Sequence, residues 1–196
     1  MADTYNHRVC VFNEADGKGG KGSGTMQFYC PSGVAVAGGL VYISDTSNHR
    51  IQVFRIAGDG SPTHAFMWGS EGSGDGQFSN PKGLVVADGV VYICDTGNHR
   101  VQAFSAWDGQ FPRKWGSRGS GDGQFEHPHS VAVSAGVVYV IDQGNHRVQV
   151  FNAEGKFIRA WGSNNGQFNF PCGVSVADGL VYVADSLNQR VQVFLC

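Results

Sequence analysis

Apolar residues in this chain come in short runs of Val, Ile, Tyr and Phe, each closed off by Gly, Asp, Asn or Pro. Residues 83–87 (GLVVA), 90–94 (VVYIC) and 101–104 (VQAF) form one such succession. Runs of four to six residues are too short for helices, and β-branched and aromatic side chains suit a pleated, half-buried surface, so they predict strands. No stretch of ten or more residues carries a helical period. Asp88-Gly89 and Asp178-Gly179 separate successive runs. A type I′ turn needs positive φ at both central residues, so these dipeptides predict tight hairpins.

The pattern repeats. Asp3, Asp45, Asp95, Asp142 and Asp185 head five copies of one hexapeptide: DTYNHR, DTSNHR, DTGNHR, DQGNHR and DSLNQR. A longer unit travels with it. A Pro-x-(Gly/Ser) turn leads into a Val-rich run, a two-residue turn and a second run. The hexapeptide, a third run and a fourth run ending at Trp68, Trp115 or Trp161 follow, and a Gly-rich link reaches the next Pro. Four short antiparallel strands in a unit of 40 to 50 residues match a propeller blade. A lone blade cannot bury both faces, so neighbours must stack.

The segments VYICDTGNHRVQAF and WGSEGSGDGQFSNPKGLVV resemble the NHL-repeat family of β-propellers, with Arg100 at the family's Leu position. The resemblance runs over nearly the whole chain. It implies an all-β propeller of four-stranded antiparallel blades, like the propeller domains of TRIM-NHL proteins and bacterial NHL-repeat proteins. One domain is expected over residues 1–196, with repeats at about 31–69, 81–116, 128–162 and 171–196. The last unit ends after its third strand, and residues 8–12 read as a spare strand followed by a Gly-rich link. The two deficits are complementary. The expectation is therefore four blades closed by the N-terminal strand 8–12 pairing beside residues 191–194, which also hides an edge. A monomer follows from that closure, and a strand-exchanged oligomer is its alternative.

Composition narrows the function classes. A formal charge of −2 and a pI near 6.4 leave no electrostatic footprint for nucleic acid, and no apolar run approaches the length of a membrane span. The opening Met-Ala-Asp-Thr-Tyr lacks the basic and apolar regions of a secretory signal. Cys10, Cys30, Cys94, Cys172 and Cys196 are scattered and form no C-x-x-C, so reduced thiols and a cytoplasmic location are expected.

The hexapeptide contains Asp, His and Arg, and could serve an acid/base or metal site. Its recurrence argues otherwise, because a catalytic site needs one arrangement and the last copy carries Gln189 for His. It reads as a turn, with Asp bonding backbone, Asn tolerating left-handed geometry and Arg reaching a carboxylate or carbonyl. The Gly-rich links resemble a phosphate loop only superficially, since no helix and no Gly-Lys-Ser/Thr follows. The repeated Trp and Tyr positions read as packing.

Function is expected where the copies disagree. The residue after the repeated Pro is Ser32, Lys82, His129 or Cys172, placed to ring the mouth of the central channel on the face that carries the links and the second-to-third-strand turns. Glu71, Arg118 and His127 depart from the repeat nearby. These seven residues are the candidate binding site, with no catalytic residue and no cofactor expected. A zinc site from His127, His129 and Cys172 uses suitable ligand types, but no spacing demands it. The reading is a non-catalytic scaffold for a protein or peptide, or a small ligand. Single-stranded RNA binding is the first alternative, disfavoured by links of mixed charge. A metal-dependent lyase or hydrolase at the central channel, as in the family's amidating-lyase branch, is the second.

Overall fold

The protein is described here by a computed structural model covering residues 2–6, 8–9, 21–111, 113–162 and 167–196. A two-stranded hairpin comes first, β1 (Ala2–Asp3) with β2 (Arg8–Val9). Blade one comprises β3 (Gly33–Ala37), β4 (Leu40–Asp45), β5 (Arg50–Ile56) and β6 (Pro62–Trp68). Blade two comprises β7 (Pro81–Ala87), β8 (Val90–Asp95), β9 (Arg100–Ser105) and β10 (Arg113–Trp115). Blade three comprises β11 (Pro128–Ser134), β12 (Val137–Asp142), β13 (Arg147–Asn152) and β14 (Phe157–Trp161). Blade four holds three strands among the described residues, β15 (Pro171–Ala177), β16 (Leu180–Asp185) and β17 (Arg190–Leu195). Among the described residues, every pairing between strands of a blade is antiparallel and sequential.

The turns follow the expected chemistry. Asp88 and Gly89 sit at φ of 50° and 75°, and Asp178 and Gly179 at 52° and 75°, the paired positive angles of a type I′ hairpin. At the opposite end of each blade, Pro, Asp and Arg stand in one row: Pro81 faces Asp95, which faces Arg100. Blades three and four repeat this with Pro128, Asp142 and Arg147, and with Pro171, Asp185 and Arg190. Links and hexapeptides therefore share one face, and the hairpin turns lie on the other.

The core lies between blades. Leu40, Tyr42, Ile51 and Val53 of blade one pack against Leu84, Val91, Ile93 and Phe104 of blade two, with Phe78 from the link. Phe125 and Phe168 occupy the same place at the next two junctions. Each closing Trp reaches forward to a Phe of the following blade, as with Trp68 and Phe104 at 5.5 Å and Trp161 and Phe194 at 5.5 Å. The repeated tryptophans are packing residues, as expected. Gly116 precedes the second such link at φ 101°, and a Cβ there would meet the Phe125 ring at 2.6 Å, so only glycine fits.

The N-terminal strand departs from the expectation. Arg8–Val9 pairs with Ala2–Asp3, and β17 has β16 as its neighbour among the described residues. Residues 10–12 of the expected closing strand lie outside the described residues. The reason is local chemistry. Asp3–Asn6 bonds like the first part of a hexapeptide: Asn6 donates to Asp3, and the Thr4 hydroxyl donates to the Pro31 carbonyl at 2.7 Å. Thr46 to Pro81 and Thr96 to Pro128 are the same bond at 2.7 Å. The segment thus docks ahead of blade one, as the end of a preceding blade would, instead of beside blade four. Among the described residues the forward face of blade four is uncovered, with Val191 64% and Val193 51% exposed, whereas Ile51 and Val53 at those positions in blade one are fully buried.

Candidate functional site

The hexapeptide is the frame. Asp95 is fully buried and accepts hydrogen bonds from the Ser79 backbone N–H (2.7 Å), Arg100 Nε (2.7 Å), Gln102 Nε2 (3.0 Å) and the Asn98 amide. Arg100 then donates to the carbonyls of Ser73, Gly74 and Gln77, stitching the incoming link to the turn. Asp45, Asp142 and Asp185 are held by the equivalent Arg, Asn and Gln. Two details differ from the expected turn. The left-handed residue is the His, at φ 54° for His49 and 55° for His99, and not the Asn. The backbone that the Asp bonds belongs to the incoming link sixteen residues upstream and not to the turn itself.

This frame repeats, so its exceptions stand out. In β7, β11 and β15 the pairing skips residues at the start of the strand: Pro81 and Leu84 are paired around Lys82, Pro128 and Ser130 around His129, Pro171 and Gly173 around Cys172. Three of the four expected channel-mouth residues therefore sit at bulges, which re-aim a side chain away from the ladder. Inner strands converge here. Ser44 Oγ donates to the Lys82 carbonyl at 2.6 Å, and a Cβ on Gly83 would lie 2.6 Å from the His129 carbonyl oxygen.

Lys82, His129 and Cys172 are brought together. His129 Nδ1 lies 2.8 Å from the Cys172 carbonyl, which accepts only, so Nδ1 carries the proton. Cys172 Sγ accepts from Ser186 Oγ. Burial lowers the pKa of His129, and the Lys82 charge lowers it further against the raising effect of the Cys172 carbonyl. Burial likewise lowers the pKa of Lys82, with Cys94 acting in the other direction. Ser32 occupies the equivalent position ahead of β3, exposed, its hydroxyl 2.5 Å from that of Thr46.

The remaining candidates lie elsewhere. Arg118 pairs with Glu126 at 3.2 and 3.3 Å, and His127 Nδ1 lies 3.5 Å from the same carboxylate. The hydrogen bond from Arg118 is the largest influence on Glu126, and its pKa lies below the ordinary carboxylate value. His99 completes this group, its ring 4.7 Å from that of His127. Glu71 is exposed on the preceding link and joins neither group. His99 was not among the expected site residues; Glu126, where other copies carry Ser79 or Asn169, was visible in the sequence as a departure from the repeat beside His127. His99 belongs to the repeated hexapeptide, and the adjacent position, Asn80, His127 or Phe170 in successive copies, marks this junction as different.

His127, His129 and Cys172 do not converge as a zinc site. Among the described residues, the ligand-type atoms that come together are those of His99, Glu126 and His127, within 4.8 Å of one another. His99 Nδ1 accepts the His127 backbone N–H at 3.2 Å, so the neutral ring keeps its proton on Nε2 and has no lone pair to offer a metal. Arg118 already occupies Glu126. The group is wired as a hydrogen-bond network.

The lowered pKa of His129 gives a pH prediction. Its folded value lies below the unfolded 6.5, so the fold favours the neutral ring. That contribution is complete above pH 6.5 and is lost as pH falls from there toward the folded value, where the unfolded chain binds the proton first. Urea unfolding at pH 7 and pH 5.5 is expected to show a smaller pH-dependent loss for His129→Gln than for the wild type. Equal losses would place the effect on other groups.

Radially stacked antiparallel blades define a β-propeller. The NHL repeat family model matches residues 28–54, 78–104, 125–151 and 168–194, one match per blade, and the chain belongs to the NHL-repeat family. No curated protein sequence matches the chain. Among solved structures, a chain of the nidogen/laminin complex is similar at 20% identity with a TM-score of 0.63, over 86% of this chain and 60% of that one. The computationally designed Ika4 protein is similar at 16% identity and a TM-score of 0.60, over 84% and 90% of the two chains. Myxococcus xanthus glutaminyl cyclase is similar at 15% identity and a TM-score of 0.58, over 85% and 74%. This chain thus spans less than two thirds of the nidogen/laminin-complex chain, and at these identities the likeness concerns the fold. No helix among the described residues is long and apolar enough to cross a membrane.

Proposed function

We propose that the protein is a non-catalytic binding scaffold that recognises a protein or peptide on the link-bearing face, as a monomer in the cytoplasm. The observation that carries this reading is the contrast between a frame repeated bond for bond and a few bulge and link residues that share no identity. Loops and strand ends on a rigid scaffold are the usual seat of recognition, because their side chains can vary without disturbing the core. Lys82, His129, Cys172 and Ser32 would form the centre of that surface, and Arg118 and His127, with Glu126, its rim. Glu71 would extend it toward blade one. The nidogen/laminin likeness agrees with a role in protein interaction, but at the level of architecture alone.

The test is a proximity-labelling or pull-down comparison of the wild type with a Lys82→Glu/His129→Ala double variant whose folding is checked by circular dichroism. Partners present with the wild type are expected to fall away with the variant. Identical partner sets would place recognition on another face.

A further inference from the structure

Lys82 differs from the buried arginines of the hexapeptides. Arg100 and Arg147 are buried and each has an aspartate at 2.7 Å. The exposed Lys114 is paired with Asp75. Lys82 is half-buried, and among the described residues its ammonium has neither a hydrogen-bond acceptor nor an ion pair. The titratable groups that act on it and on its neighbour are few: the Cys94 thiol on β8, the His129 ring on β11, and no carboxylate. Cys94 is fully buried, its thiol pKa raised by burial and then by Asp95, so it stays neutral. The Asp95 carboxylate is committed to the link. A sheltered ammonium without a counter-charge is costly, and so is a second cation beside it.

We infer that Lys82 and His129 form a carboxylate-binding site at the channel mouth, taking an Asp or Glu side chain or the C-terminus of a peptide. This rests on the reading of that mouth as the binding face. His129 is oriented for the role: its Nδ1–H is held by the Cys172 carbonyl, and Nε2 is the atom left to gain a proton and donate to an anion. The bulges in β7 and β11 turn both side chains out of the ladder. One ammonium and one imidazole match the charge of a carboxylate. No arginine acts on either group to supply the planar fork favoured for phosphate. Binding takes up a proton on His129, so affinity rises as pH falls from 7 toward 5.5.

The test is an NMR titration of the His129 ring with acetate, with chloride at matched ionic strength and inorganic phosphate as comparison arms. Acetate is expected to raise the His129 pKa by about one unit, the size of effect an adjacent opposite charge produces. Lys82→Met should raise the ring's pKa in the free protein and abolish the response, and Lys82→Arg should retain it. An absent response to acetate, a response to chloride as large, or a stronger response to phosphate would each overturn the assignment. The partner comparison described above can still succeed with a neutral ligand, so failure here is separable from failure of the scaffold reading.

Discussion

Asp95→Ala is expected to lower unfolding stability by about 3–5 kcal/mol, the usual penalty for removing one partner of a buried ion pair. The carboxylate is fully buried, and Arg100 beside it is only 6% exposed. Its loss leaves Arg100 without a counter-charge and frees the Ser79 N–H and Gln102 amide that it gathered. The link to blade two would lose its anchor, because the carbonyls of Ser73, Gly74 and Gln77 are held through Arg100. Asp185→Ala should cost less, since the Arg190 side chain is 48% exposed and water can take over its solvation. Urea denaturation of both variants provides the measurement. A loss below about 1 kcal/mol for Asp95→Ala, the range of an exposed pair, would mean that the hexapeptide is not the anchor.

The second large effect separates blade one from blade four. Ile51→Ala should cost about 2–5 kcal/mol, the range for emptying a packed aliphatic site. Ile51 is fully buried in the core shared with Leu84 and Ile93 of the next blade. Val191 holds the same place in blade four but is 64% exposed, so Val191→Ala should stay within about 0.5 kcal/mol. Thermal melts of the two variants under matched conditions decide it. A large loss for Val191→Ala would show that the forward face of blade four is covered in solution.

Much of this architecture was legible because each repeat writes its interactions locally. Asp88-Gly89 encodes its own turn angles, and the run of Val and Ile on both sides encodes strands. Pro81, Asp95 and Arg100 share a row because the turn lengths leave them no other register. The packing role of Trp68, Trp115 and Trp161 followed from repetition, and the rings do sit on Phe104, Phe151 and Phe194. The role of the hexapeptide as frame was readable, but its bonding was not. His takes the left-handed angle and Asp holds the link sixteen residues upstream, a choice made by side-chain direction within the blade.

Pairing at the chain's N-terminal end was the point where pattern and structure parted. Residues 8–12 look like a strand in any setting, and two docking places were open to them by count alone. Thr4 decided between the two by making to Pro31 the bond that joins blades one and two to their successors.

By itself, the order of residues determined the strands, turns, repeat and family, since all of these rest on contacts within a blade or between identical neighbours. The tertiary structure alone decided which unrepeated residues meet. Lys82 is 47 residues from His129, and the two share a surface only because successive inner strands converge at their bulged ends. His127 parted from His129, two residues away, because the strand begins between them: His127 meets His99 and Glu126, and His129 meets Cys172. No spacing rule in the chain encodes that separation. It comes from the register of the sheet.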